Sequence, residues 1–146
     1  MADRIFYQVP EISHLADGEG RFGTELKRTK DIFMAATANS LVIMDELSEG
    51  TTHQEKIEIA TDILNGFRAK GATTLLITHN HELVESFQAQ SIGLTRQVEF
   101  KHDTPTYRLI EGISKVSHAD RVAKKIGFSR EDIARMLKTK SKAKGD

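Results

Sequence analysis

In SLVIMDELSEGTTHQEK, residues 40–56, an apolar run ends in two adjacent carboxylates, Asp45 and Glu46. Leu41–Met44 is too short for a helix and unbroken enough for a strand buried on both faces. A carboxylate at the end of such a strand is costly to desolvate unless it has a partner. A bound cation and a reacting water are partners of the right kind. Mg²⁺ gives up its water reluctantly, so one acid can hold it through that water. The neighbouring acid can then orient or deprotonate a second water. The plainer reading is a strand end whose acids meet solvent or cap the next helix.

A second apolar run, TTLLIT at 73–78, leads into His79. A histidine just beyond a central strand can reach a phosphate or an attacking water. The alternatives are a core or capping histidine, or a metal group of His79, His81 and Glu82 in a small metal-dependent hydrolase. H-x-H is too short to fix a metal without a distant third ligand. LVIMDE has the hydrophobic-strand-plus-Asp-Glu form of a Walker B motif. In that reading Asp45 positions Mg²⁺, and Glu46 activates the water that attacks a γ-phosphate.

Two glycine patterns compete with this reading. GEGRFG, residues 18–23, matches G-x-G-x-x-G, but ISHLAD separates it from the preceding strand, so it does not leave a strand directly. Gly18 and Gly23 also have P-loop spacing, as do Gly66 and Gly71. The residues that follow are Thr24-Glu25 and Ala72-Thr73, where Lys-Ser/Thr is required. The sequence holds no Walker A motif.

The elements that must position these residues follow from periodicity. Residues 4–9 suggest a strand closed by Pro10, and 11–21 a loop. Phe22, Leu26, Thr29, Phe33 and Ala36 form one helical stripe, ended by Asn39-Ser40. Ile57, Ala60, Leu64 and Phe67 form another, stopped at Gly71. TTLLIT reads as a second buried strand, and His81–Gln88 as a short helix. SIGLTRQVEF and TYRLIEG read as a hairpin whose turn is marked by Asp103 and Pro105. Ser117–Asp120 and Ser129–Asp132 fit capping patterns before two last helices, lined by Val122, Ala123 and Ile126, and by Ile133, Met136 and Leu137. Strand–helix–strand–helix–strand order implies a parallel α/β core.

The chain has 146 residues, with 21 Lys and Arg against 21 Asp and Glu. That balance removes any argument for nucleic-acid binding over the whole surface. Without cysteine there is no disulfide framework and no thiolate chemistry. No apolar run approaches membrane-span length and no signal-peptide core is present, so a soluble cytoplasmic protein is the expectation. A strand almost from the first residue suggests a piece of a larger protein. The basic stretch 138–146, KTKSKAKGD, reads as a solvated, fraying tail.

Taken together these segments resemble the ATPase domain of the MutS mismatch-repair family. ATANSLVIMDELSEGTT is similar to its Asn-Ser-Leu-Val-hydrophobic-Asp-Glu run and Gly-Thr-Ser/Thr loop. ITHNHEL resembles its Thr-His-x-x-Glu-Leu, and DRIFYQV its Asp-Arg-Ile-Phe segment. EGISKVSHADRVAKKIGFSREDIARML has the spacing of its Gly-x-x-x-x-Ser-[aromatic]-x-x-x-Val-Ala stretch followed by Gly-x-Pro-x-Glu-x-Ile, a feature that sets it apart from transporter ATPases and SMC-type heads.

The resemblance implies the C-terminal part of an ABC-type head. That is a P-loop NTPase with a three-layer α/β fold, here partial, with parallel core strands, a C-terminal hairpin and two helices. Residues 1–146 would supply the Q-loop region, signature helix, Walker B, D-loop, H-loop and C-terminal helices. It implies ATP and Mg²⁺ as cofactors, with Asp45 on the metal through water, Glu46 and His79 catalytic, and Gln8 in the Q-loop role. Gly20, Arg21, Phe22 and Glu25, with Ser48, Gly50 and Thr51, would face the nucleotide of the opposite head in a homodimer. Mismatched or branched DNA would be held by domains outside this sequence, controlled as a clamp. Phe22 and Glu25 match the signature helix, but Gly20 and Arg21 stand at its Ser-Thr positions, which puts a cation where a serine is expected. Glu49 stands where the family usually has a basic residue. A divergent branch follows from these departures. The rival reading from another class is a non-catalytic dimerisation module, a degenerate ATPase.

Overall fold

The computed structural model describes residues 2–9, 20–47, 52–102, 104–114 and 118–142, apart from the side chains of Arg21, His118 and 139–142. Contacts divide the chain into two units, Met1–Ile92 and Gly93–Asp146.

The first unit runs β1 (Arg4–Gln8), α1 (Gly20–Ala35), β2 (Ser40–Asp45), α2 (His53–Ala69), β3 (Thr73–Ile77) and α3 (His81–Ala89). The strands form one parallel sheet in the order β1-β2-β3, with Tyr7, Ile43 and Leu75 in register. Each strand is added on the same side of the last. With right-handed crossovers, that progression puts both connecting helices on one face. Val42 and Met44, both fully buried, pack there with Ala36 of the turn after α1, Ala60 and Phe67 of α2, and Leu83 of α3. The predicted stripes are the buried ones. Thr29 and Ala36 in the first, and Ala60 and Phe67 in the second, are all buried.

Phe33 and Phe67 meet edge to face, with ring centroids 5.1 Å apart. Lys70 donates to the Phe33 carbonyl and lies over its ring. The glycines of the second P-loop-like spacing are explained by this junction. A Cβ on Gly66 would stand 2.9 Å from the Phe33 ring, so the residue is small because an aromatic lies across it. Gly71 has φ +77°, and the N–H groups of Gly71 and Ala72 close α2 onto the carbonyls of Arg68 and Phe67. Ser40 does not stop α1; it opens β2, and its hydroxyl accepts from the Thr37 N–H in the intervening turn.

The opposite sheet face carries Ile5, Tyr7, Leu41, Ile43, Leu75 and Ile77. Leu75 and Ile77 are about half exposed, at 52% and 49%. By composition this strand reads as central and buried, but the resemblance places it next to a P-loop strand that the sequence lacks, which implies an open edge; β3 is indeed an edge strand with one open face. A doubly wound sheet covers that face only with strands added in the other direction, and none is present among the described residues. β1 does not fold round to protect β3; it pairs with the far side of β2. An unprotected apolar edge is a pairing template. In a dilute monomeric sample, the outward-facing amides of residues 74–77 should exchange with solvent nearly as fast as in unstructured peptide, and slow as concentration rises. Protection of all of them in a proven monomer would mean that another segment covers the edge.

The second unit holds β4 (Arg96–Lys101), β5 (Thr104–Glu111), α4 (His118–Lys125) and α5 (Arg130–Lys142). The hairpin starts later than expected, because Ser91 and Gly93 both adopt positive φ ahead of it. Pro105 belongs to β5 opposite Phe100, not to the turn, and Asp103 lies outside the described residues. A two-stranded ribbon has two edges, which is where proline is tolerated. The register shifts between Val98 and Phe100, and there the Thr106 hydroxyl donates to the Glu99 carboxylate. Arg121 of α4 stacks on Phe100 at 3.3 Å from the ring centroid.

Ser129 caps α5 as its pattern predicts. Its N–H and hydroxyl donate to the Asp132 carboxylate at 2.9 and 2.6 Å, and these bonds hold that carboxyl below its usual range. Ser117 of the companion pattern lies outside the described residues. The backbone of α5 stays helical through Lys142, so the first part of the supposed fraying tail is helix. The apolar stripes of α4 and α5 are less buried than expected: Ile126 and Leu137 are mostly exposed. A hairpin and two short helices enclose too little volume to bury them.

Candidate active site

β2 and β3 are adjacent and parallel, so their carboxyl ends lie side by side. Ligands of open α/β sheets bind beyond these ends. Asp45 is the last residue of β2 and pairs with Ile77, the last of β3. The residues that follow, Glu46 on one strand and Thr78 and His79 on the other, are brought together across more than thirty positions of sequence.

Glu46 has φ +59°, a left-handed conformation uncommon for a residue with a side chain. Its N–H donates to the Ile77 carbonyl at 2.8 Å, continuing the sheet by one bond. Its side chain turns towards β3 and is largely buried, at 15% exposure. One carboxylate oxygen, Oε2, accepts from the Thr78 hydroxyl at 3.0 Å. The other, Oε1, accepts from the His79 N–H at 2.9 Å and lies 3.8 Å from Nε2 of the His79 ring. The ring itself is 84% exposed, so it faces outward from the sheet end and is not a core histidine. Asp45 is half-buried, and its carboxylate has no hydrogen bond or ion pair among the described residues. That suits an acid that would hold a hydrated cation, which brings its own donors.

Two further contacts tie the helices around this corner. Asn80 caps α3 by accepting from the Leu83 N–H at 3.1 Å. His53, the first residue of α2, lies with Nε2 2.8 Å from the Glu82 carboxylate in the first turn of α3. Both partners of that pair are mostly exposed, so it contributes little to stability. It does occupy Glu82, and among the described residues no three histidine or acidic side chains gather as a metal group. The grouping of His79, His81 and Glu82 is not formed.

The remaining candidates are dispersed. Gln8 is the last residue of β1, but its side chain turns inward under α1. Its Oε1 accepts from the Thr29 hydroxyl at 3.1 Å, and the residue is 2% exposed. Its amide thus ties β1 to α1. Gly20, with φ +69°, opens α1, and Phe22 and Glu25 are half-buried in its first turns. The Arg21 side chain and residues Ser48, Gly50 and Thr51 lie outside the described residues. Thr78 and Asn80 were not singled out by sequence reasoning. The available signal was a Thr and an Asn just past an apolar run and just before a helix, where both residue types bond to nearby backbone.

The sequence matches the family described as MutS domain V over residues 1–143. It is 32% identical to a DNA mismatch repair protein MutS of Desulfosudis oleivorans over 94% of the chain and 16% of that protein. It is 31% identical to an Endonuclease MutS2 of Thermotoga neapolitana over 89% of the chain and 17% of that protein. An Endonuclease MutS2 of Clostridium botulinum is 32% identical over 90% of the chain and 18% of its own length. The chain thus spans about a sixth of the length of the relatives it matches. With the match running from end to end of both units, the chain belongs to the MutS family and corresponds to its domain V.

Proposed function

We propose that this chain is the C-terminal part of a MutS-family ATPase head, and that Asp45, Glu46 and His79 form its catalytic corner. One observation carries the reading: a largely buried glutamate and an exposed histidine, 33 residues apart in sequence, meet at the carboxyl ends of adjacent parallel strands, directly after the aspartate that ends β2. ATP bound there with Mg²⁺ would supply the phosphoryl group to be transferred. Asp45 would hold the metal through water. Glu46 would orient a water and accept its proton. His79 would present its exposed ring to the γ-phosphate. Gly20, Arg21, Phe22 and Glu25 at the head of α1, and Ser48, Gly50 and Thr51 in the loop before α2, would face the nucleotide of the opposite head. In the complete protein this cycle would control the hold of other domains on mismatched or branched DNA. The names of the relatives support a role in mismatch repair or in DNA cleavage, and both are compatible with a nucleotide-driven clamp.

The phosphate cradle is not among these residues, since no glycine loop in the sequence carries its lysine. Most of the binding and charge stabilisation in phosphoryl transfer comes from that cradle. The purified chain should therefore release no phosphate from ATP above the rate of a Glu46→Gln control in a steady-state assay. Turnover by the wild type that the substitution abolishes would overturn this.

The open sheet face favours a second reading, a non-catalytic dimerisation module. Ile5, Tyr7, Leu75 and Ile77 offer an apolar surface for association that needs no nucleotide. The two readings separate on one measurement. Restoring a G-x-x-x-x-G-K-S/T segment from a relative should create ATP-dependent dimers under the first, and leave dimerisation indifferent to ATP under the second.

A further inference from the structure

The corner contains a residue whose geometry exceeds a structural need. Thr78 follows β3, and its hydroxyl has one hydrogen to give. The Asn80 N–H donates to that hydroxyl at 3.0 Å, which occupies a lone pair and fixes where the hydrogen points. The hydrogen goes to Oε2 of Glu46. With the His79 N–H on Oε1, each carboxylate oxygen has a protein donor of fixed direction. The left-handed backbone at Glu46 is what turns the side chain across to β3 instead of out beyond the sheet. Such a conformation costs free energy and persists where the surroundings over-determine it. Here the Ile77 carbonyl, the Thr78 hydroxyl and the His79 amide do so together.

We propose that Thr78 is a positioning residue for Glu46. Its hydroxyl tethers Oε2 while the His79 amide tethers Oε1, so that the carboxylate is held in one orientation with Oε1 beside the His79 ring. The role rests on the reading of Glu46 as the water-orienting acid. It adds that the aim of this acid is set from β3 and not from its own strand. Because Thr78 also receives the Asn80 N–H and Asn80 caps α3, the aim of Glu46 and the start of α3 are linked through one hydroxyl.

The test uses the chain alone, without nucleotide, by solution NMR with ¹³C-labelled glutamate. In Thr78→Val the Glu46 side-chain carboxyl resonance should shift, and the His79 amide should exchange about tenfold faster or more, the scale of a hydrogen bond to a charged group. Thr78→Ser should restore both. If Thr78 only caps the turn, the valine variant will loosen the amides of Leu83 and Val84 and leave the Glu46 carboxyl resonance in place, which overturns the proposal. A valine variant that fails to fold is replaced by Glu46→Ala and Thr78→Ser. The alanine should speed His79 exchange while α3 stays protected, and the serine should keep the wild-type Glu46 resonance. His79 exchange unchanged in the alanine variant, or a shifted Glu46 resonance in the serine variant, overturns the proposal as well. These readouts involve no ATP. Their failure removes the role of Thr78 and leaves the ATPase reading standing, whereas failure of a cradle-restored protein to bind ATP does the reverse.

Discussion

In a protein that joins this chain to a G-x-x-x-x-G-K-S/T segment from a relative, Glu46→Gln should lower ATP turnover by about 10²- to 10⁴-fold, the usual contribution of a positioned general base. ATP should still bind, and ATP-bound dimers should accumulate, since Asp45 and the restored cradle are untouched. The geometry explains why the glutamine variant is informative. The Thr78 hydroxyl can donate to an amide oxygen as it does to Oε2. The His79 N–H, now facing an NH₂ group, loses its acceptor. The side chain keeps one of its two tethers and its volume, but cannot take a proton from water. Phosphate release and light scattering with ATP and Mg²⁺ measure the two effects separately. A variant that hydrolyses at the wild-type rate, or that never forms nucleotide-dependent dimers, would remove the catalytic role assigned to Glu46.

Phe67→Ala should have the largest effect on folding, a loss of about 3–5 kcal/mol, as for other buried aromatic truncations. Phe67 is fully buried and touches Phe33 edge to face. It lies where α1, α2 and the sheet converge. The surroundings are poorly placed to collapse into the space, because Phe33 is itself held over Gly66 and by Lys70. Domains of this size are stable by only about 5–15 kcal/mol, so the variant should sit near its limit at room temperature. Denaturant unfolding followed through a probe in residues 1–92 is the appropriate measurement, since Phe67 belongs to that unit. A midpoint shift equivalent to less than about 1 kcal/mol would mean that the Phe33–Phe67 contact is not central to the core. The two effects are expected to be independent: Phe67 acts on the helix-covered face, and Glu46 at the end of the sheet.

The limits of reading a strand from its composition are clearest at β3, whose open edge follows instead from the absence, among the described residues, of a P-loop strand beside it. TTLLIT has the composition of a central strand, and Leu75 and Ile77 are nonetheless half exposed at an edge. Composition reports what a strand is suited to meet, whereas burial depends on which neighbours the chain supplies. Gln8 shows the same limit. Its place at the end of a strand was legible, but the pleat turns its side chain under α1, a matter of sheet register. The P-loop-like spacing of Gly66 and Gly71 was sequence coincidence, and only packing shows that one glycine makes room for an aromatic ring and the other closes a helix.

What the sequence determined by itself was local and periodic. The stripes through Thr29 and Ala36 and through Ala60 and Phe67, the cap at Ser129 and the element order all follow from side-chain spacing and backbone preference within a few residues. The order of DRIFYQV, LVIMDE, ITHNHEL and the C-terminal EGISKVSHADRVAKKIGFSREDIARML also pointed to the MutS family, and the match to domain V bears that out. Tertiary structure decided how Asp45, Glu46, Thr78 and His79 meet. That requires β2 and β3 to lie parallel, adjacent and in a register that pairs Asp45 with Ile77. It also requires a left-handed Glu46 to turn its carboxylate sideways. Neither condition is encoded in a motif, because a hydrogen bond between residues 33 positions apart depends on the packing of all the chain that lies between them.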